Sequence, residues 1–181
     1  SYEVDNEGNV YMLALVFDKG SKSIRKGEAN YQYRILAYTK NGEERETFPL
    51  SLKDYFITDL TFKIANDGHL VCAGFYSQKE TSSARGTYFF RLNPITQEVY
   101  TNSTKDFDFN LRTADLSNRK RNKAMEAEEE GEIKKQAELQ SFSLDHLILR
   151  NDGGAVLVAE QYFVERVTNF VGAGFNRGVR N

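Results

Sequence analysis

A carboxylate, an amide and a phenol stand side by side at Glu160-Gln161-Tyr162, inside a run that is otherwise apolar from Ala155 to Phe163. Together they offer an acceptor, a mixed donor and acceptor, and an aromatic face, which is enough to hold a small polar ligand or part of a partner. A carboxylate in a buried strand is costly unless it is paired. Two readings of Glu160 follow. Either Arg150 or Arg166 neutralises it across a strand ladder, or it projects into a water-filled channel where a ligand binds. Catalysis would require a second acid or a base, and the sequence names none, so the catalytic residues are unknown.

Other reactive side chains are sparse. His69 follows a turn glycine and His146 lies in a strand-like stretch, neither with another ligand at metal-binding spacing. The single cysteine, Cys72, lies between Val71 and Ala73 and reads as a small buried hydrophobe. Asp106-Phe107-Asp108-Phe109-Asn110 imitates the start of a calcium loop, but Leu111 replaces the sixth-position glycine and Ser117 the twelfth-position glutamate. Gly172-Ala173-Gly174 lacks the spacing of a dinucleotide loop, and no phosphate-binding or nucleophile-elbow motif occurs. No metal and no cofactor is expected. Tyr31, Tyr33, Tyr88 and Tyr100 could stack on sugar rings, although at strand spacing they serve equally as cross-strand packing partners.

These residues sit on strands punctuated by a recurring phrase, a polar glycine turn followed at once by an apolar run. It reads Asp5-Asn6-Glu7-Gly8 before Asn9–Phe17, Asn66-Asp67-Gly68 before His69–Tyr76, and Asn151-Asp152-Gly153-Gly154 before Ala155–Phe163. The turn glycines are 60 and then 85 residues apart. Around the middle copy four strands follow in order, at 57–64, 69–78, 86–92 and 98–104. The first copy supplies strands at 9–18, 31–39 and 44–50, with Asn41-Gly42 read as a two-residue hairpin turn. The third supplies 142–150 and 155–166, before a glycine-rich tail over 167–181. The continuous apolar character of 69–78 predicts a strand covered on both faces.

The excess in the second interval is a charged insertion over 105–141. Six basic and six acidic residues fall between 119 and 138. Ala, Glu, Lys, Arg and Gln predict a helix from about Leu116 to Leu139, capped at Thr113 or Asp115, with Gly131 able to split it. Leu116, Met125, Ile133, Ala137 and Leu139 are its candidate packing residues. Arg119–Lys123 is either a patch for acidic partners or a solvated helix face.

Composition bounds the rest. Ten Tyr and thirteen Phe favour pleated, half-buried surfaces. A net charge of −2 argues against a nucleic-acid binder. No apolar run reaches the ~18 residues of a membrane span, so no membrane insertion is expected. The chain opens at Ser1 without a basic-then-apolar leader, which reads as a mature segment or an excised piece.

A four-stranded antiparallel unit recurring in tandem describes a β-propeller blade. The Asp-x-x-Gly-Asn-Val-Tyr phrase at residues 5–11 resembles the turn between the first and second strands of many propeller families. The chain outside 105–141 and the tail is similar to propeller-like proteins of Bacteroidetes-type bacteria, many of them exported. The expected fold is therefore all-β: a partial propeller with a helical insertion. It would comprise a partial blade at 1–50, a full blade at 57–104 and a partial blade at 142–166. The resemblance implies a non-enzymatic binding or scaffold segment that recognises protein or glycan at the cell envelope, through Glu160, Gln161 and Tyr162. It would be periplasmic or extracellular, with the cytoplasm left open. The alternative is part of a propeller hydrolase whose catalytic groups lie mostly outside this segment. Open sheet edges or the insertion could also pair one copy with another.

Overall fold

The computed structural model describes residues 1–17, 30–79 and 83–162. One antiparallel sheet holds β1 (Tyr2–Val4), β2 (Val10–Phe17), β3 (Tyr31–Tyr38) and β4 (Glu44–Leu50) in that order. A second holds β5 (Phe56–Ile64), β6 (Leu70–Ser77), β8 (Gly86–Leu92) and β9 (Val99–Asp106). Between β6 and β8 lies the two-residue β7 (Ser83–Ala84), which pairs with β10 (Leu139–Gln140) at the end of the insertion. A hairpin of β11 (Phe142–Leu149) and β12 (Ala155–Gln161) forms the third layer. Among the described residues no sheet closes into a barrel. The first sheet has one strand more than the sequence pattern predicts, because β1 is three residues long and too short to display a period.

The recurring glycine turn has one geometry. At Asp5–Asn9, Ala65–His69 and Arg150–Gly154 the first N–H donates to the fifth carbonyl at 2.8–3.0 Å. The glycine N–H donates back to the first carbonyl at 2.9–3.2 Å. Gly8, Gly68 and Gly153 take φ of 87°, 80° and 84°. The turn Thr39–Glu43 joins β3 to β4 in the same way, with Gly42 at 82° and Asn41 outside the left-handed region. The two-residue turn expected at Asn41-Gly42 is therefore a three-residue loop closed by a glycine bulge. A Cβ at Gly68 would meet nothing within 4 Å. Gly68→Ala should thus cost only the backbone penalty, about 1 kcal/mol, read as a urea-midpoint shift at constant m-value.

The second sheet is the middle layer. On β6 the alternation is complete: Leu70, Cys72 and Tyr76 face the first sheet, while Val71, Ala73 and Phe75 face the other way. All eight residues of β6 are buried, as its continuous apolar run predicts. On one side, Phe62, Leu70 and Tyr88 pack against Tyr11, Ile35 and Phe48 of the first sheet. On the other, Val71 and Ala73 pack against Leu147, with Leu149 and Leu157 around them. Wholly buried side chains such as Ile35, Phe62 and Leu70 each contribute about 1.5–3 kcal/mol.

Bulges lock the layers. The register of β5 shifts between Ile57 and Asp59, and that of β11 between Leu144 and His146. Asp59 lies at the first bulge, and its Oδ2 accepts the Leu144 N–H at 2.9 Å at the second. β1 also meets β5, where Lys63 Nζ donates to Glu3 Oε1 at 2.5 Å.

Residues 109–135 turn helical, in pieces. α1 (Phe109–Arg112) is capped by Asp108, whose carboxylate accepts the Asn110 N–H at 2.7 Å. α2 (Asn118–Glu129) starts after Ser117, so Thr113 and Asp115 do not cap it; Thr113 instead ends α1. Gly131, at φ 70°, stops α2. There the Glu132 N–H reaches the Ala127 carbonyl at 2.9 Å and the Gly131 N–H reaches Glu128 at 3.3 Å, a Schellman closure. Only Ala124 and Ala127 of α2 are buried, while Met125 and Ile133, expected to pack, are about half exposed.

Candidate functional site

Of the three residues singled out at the end of β12, Glu160 and Tyr162 are exposed and Gln161 is half-buried. β12 alternates, with Leu157 and Ala159 packed inward and Val156, Val158 and Glu160 exposed. Its apolar run is covered on one face only, so Glu160 is neither buried nor in need of a counter-charge. Ser143 stands opposite it in the ladder. Arg150 pairs instead with Asp152 at 2.5 Å, and Arg166 lies outside the described residues. Gln161 Nε2 donates to the Gln140 carbonyl at 3.2 Å and reaches Asp115 Oδ2 at 3.5 Å, tying the insertion to the hairpin. Tyr162 is half exposed, and its N–H donates to the Ser141 carbonyl at 2.8 Å.

The buried polar chemistry lies at the insertion, where sequence reading missed it. α2 turns Ala124, Ala127 and Glu128 to one face, at the i, i+3, i+4 spacing of a helix stripe. Glu128 Oε1 accepts from Arg85 Nη1 at 2.7 Å and Arg112 Nη1 at 2.6 Å, and Oε2 accepts from Arg85 Nη2 at 3.0 Å. Arg85 Nε also donates to Asp106 Oδ2 at 2.8 Å, and Asp106 accepts the Tyr76 hydroxyl. Arg112 donates further to the Ala137 and Phe107 carbonyls. Both arginines are buried. Partial burial works to raise the Glu128 carboxyl, but the bonds from Arg85 and Arg112 outweigh it and hold it below the usual carboxylate range.

Beside this clamp, Glu138 accepts from Ser77 Oγ at 2.6 Å, from the Gln78 N–H at 3.0 Å and from Ser83 Oγ. A hydroxyl beside a carboxylate can suggest a nucleophile and its base. Here Ser77 is wholly buried and both Glu138 oxygens are engaged, which suits a structural tie. The Asp106–Asn110 stretch is explained in the same terms, since Asp106 binds Arg85 and Asp108 caps α1. Arg119, Lys120, Arg121 and Lys123 are exposed, and Arg121 reaches Asn110 Oδ1 at 2.5 Å. They lie on the exposed side of α2.

Concave surface lies between the layers. At the glycine-turn end, a cleft of about 580 Å3 separates the second and third layers. Arg91 crosses its mouth, bonding Asp67 Oδ2 at 2.5 Å and approaching the Gly153 carbonyl at 3.4 Å. Slight burial works to raise the Asp67 carboxyl, but the His69 N–H and Arg91 hold it below its ordinary value. His69 Nδ1 lies 2.9 Å from Asp67, with its ring tilted on Tyr100. A second cleft of about 390 Å3, lined by Asp5, Glu7 and Arg45, separates the turns of the first two layers.

At the opposite end, β3 and the 51–57 connection enclose about 200 Å3 between Tyr31, Tyr33 and Tyr55. The Tyr31 hydroxyl donates to the Ile57 carbonyl at 2.6 Å. Burial pushes that phenol up to about 12. Tyr31 and Tyr33 meet edge to face with centroids 5.9 Å apart, and Tyr55 lies 4.8 Å from Tyr76. Of the four tyrosines considered for stacking, the structure brings Tyr31 and Tyr33 together. Tyr88 is buried behind them, and Tyr100 is on the far edge.

Among the described residues no group of three His, Cys, Asp or Glu side chains could hold a metal, and no helix is long and apolar enough to cross a membrane. Comparison of the chain with protein-family models, with curated proteins and with solved structures finds no match.

Proposed function

We propose that the chain is an arc of a β-propeller that works as a non-enzymatic binding or scaffold segment, recognising protein or glycan at the periplasmic or extracellular face of the cell envelope. The observation that carries this reading is the order of the layers. They stack face to face with their first strands β1, β5 and β11 adjoining, and each layer turns from first to second strand through the same glycine loop. That is how neighbouring blades meet around an axis. The two end layers also present apolar outer faces, Tyr2, Val4 and Met12 on one side and Ile148, Val156 and Val158 on the other. Both are suited to a further sheet. The interlayer clefts are then the concave surface available to a partner. The envelope location rests on the resemblance in the turn phrase.

Two measurements test this. Carbodiimide should cross-link Glu3 to Lys63, which only adjoining β1 and β5 allow; a mass spectrum without that cross-linked peptide would overturn the arc. Arrays of glycans and of envelope proteins should yield a saturable ligand, without turnover of nitrophenyl glycosides or esters. Turnover would move the assignment to the hydrolase alternative.

A further inference from the structure

The small tyrosine cleft differs from the two larger ones in its chemistry. Among the described residues no charged side chain lines it, whereas Arg91 and Asp67 or Asp5 and Arg45 line the others. Its walls are the rings of Tyr33 and Tyr55 with Leu52, and its polar groups are Ser51 and Gln32, whose Oε1 accepts from Arg34 Nε at 3.0 Å and whose amide N–H groups are left to donate. The hydroxyls of Tyr33, Tyr55 and Ser51 take no hydrogen-bond partner among the described residues. Behind the cleft, in the core that Tyr33 packs on, the Tyr88 hydroxyl is buried and unpartnered, the single such side-chain atom among the described residues. Tyr55 is presented by a tight turn in which Asp54 holds φ of 65°, a backbone position that side-chain-bearing residues seldom adopt.

An aromatic wall rimmed by free hydroxyls, without formal charge, selects against most ligand classes. A charged ligand would be desolvated there with no counter-charge from the described lining residues. A wholly apolar one would leave the rim hydroxyls unpaired. A sugar ring matches both halves, with C–H faces for the tyrosine rings and hydroxyls for Gln32, Ser51 and the phenols. We propose that this cleft binds one pyranose ring of a neutral oligosaccharide, seated against Tyr33 and Tyr55. The assignment rests on the binding-segment reading and names its ligand class.

The test is titration of the chain with cellohexaose, maltohexaose, laminarihexaose, xylohexaose and mannohexaose, by calorimetry and by tyrosine emission, which no tryptophan obscures. At least one should bind at ~1 mM or tighter and change the emission. Tyr55→Ala should weaken it about tenfold, the loss typical of an aromatic anchor. Tyr55→Phe keeps the ring and guards against misfolding; it should lose less, with an unchanged urea midpoint. Silence across the panel overturns the cleft assignment, and so does binding that Tyr55→Ala leaves intact. In the second case the chain still binds glycan elsewhere and the broader reading stands. Silence here together with silence on the arrays ends both.

Discussion

Glu128→Gln is expected to destabilise the protein by about 2–3 kcal/mol and to release α2 from the second sheet. The cause is asymmetric burial. Arg85 and Arg112 keep only 7% and 5% of their side chains exposed, whereas Glu128 keeps 23%. Removing the carboxylate charge leaves buried Arg112 facing a neutral amide and Arg85 with only the half-exposed Asp106 as counter-charge. Breaking a fully buried pair costs about 3–5 kcal/mol, and the partial exposure of Glu128 lowers the figure. Urea unfolding should show helical ellipticity lost at a lower urea concentration than the sheet signal, a separation absent from the wild type. Glu129→Gln, one residue on and exposed, should stay within about 0.5 kcal/mol. Equal effects in the two variants would show that the clamp contributes nothing particular.

The same carboxylate gives the clamp a pH dependence. Its folded value is depressed, so its contribution is complete above the ordinary carboxylate range. It is lost as the pH falls through the lowered value. Wild type should therefore weaken from about pH 5 downward more steeply than Glu128→Gln, which has already lost that linkage. α2 has little else to hold it. Its cations cluster at the amino end and its glutamates at the carboxyl end, opposing the helix dipole, and its buried face is two alanines.

Gly74→Ala should be as damaging for a different reason. A Cβ on Gly74 would stand 2.0 Å from the Asp59 carbonyl oxygen. The obstacle is backbone, so no rotamer change relieves it. β5 would have to move at its bulge, carrying away the Asp59–Leu144 bond that joins the second and third layers. We expect a loss of about 3 kcal/mol, with faster amide exchange at Leu144. Gly68→Ala, where open space surrounds the new methyl, is the matched comparison. A Gly74→Ala protein no less stable than Gly68→Ala would mean that β5 and β6 are not this close.

Legibility in the sequence follows the range of the interactions. The strands around Gly68 could be read because their alternation is local, and so could the fully covered β6. The exposure of Glu160 is not legible locally, because a continuous apolar run suits either one covered face or two, and only the packing partner decides. Glu128 is hidden in a run of glutamates; the signal available was its spacing from Ala124 and Ala127, which places it on the small-residue stripe. The tyrosine cleft joins residues 31–33 to residues 51–57 across two layers, so no local pattern announces it. α2 was predicted too long because propensity continues past Gly131, whereas the left-handed residue and its Schellman bonds end it there.

The lone cysteine has a use that follows from its place in β6. Cys72 is wholly buried, and burial pushes its thiol up to about 12, so in the folded state it is both shielded and protonated. It can react with a disulfide reagent only when the first and second layers part. Its labelling rate is therefore a built-in stopwatch for the opening of the whole stack, requiring no engineered reporter. Run on Glu128→Gln and Gly74→Ala, it would separate loosening of the insertion from loss of the core.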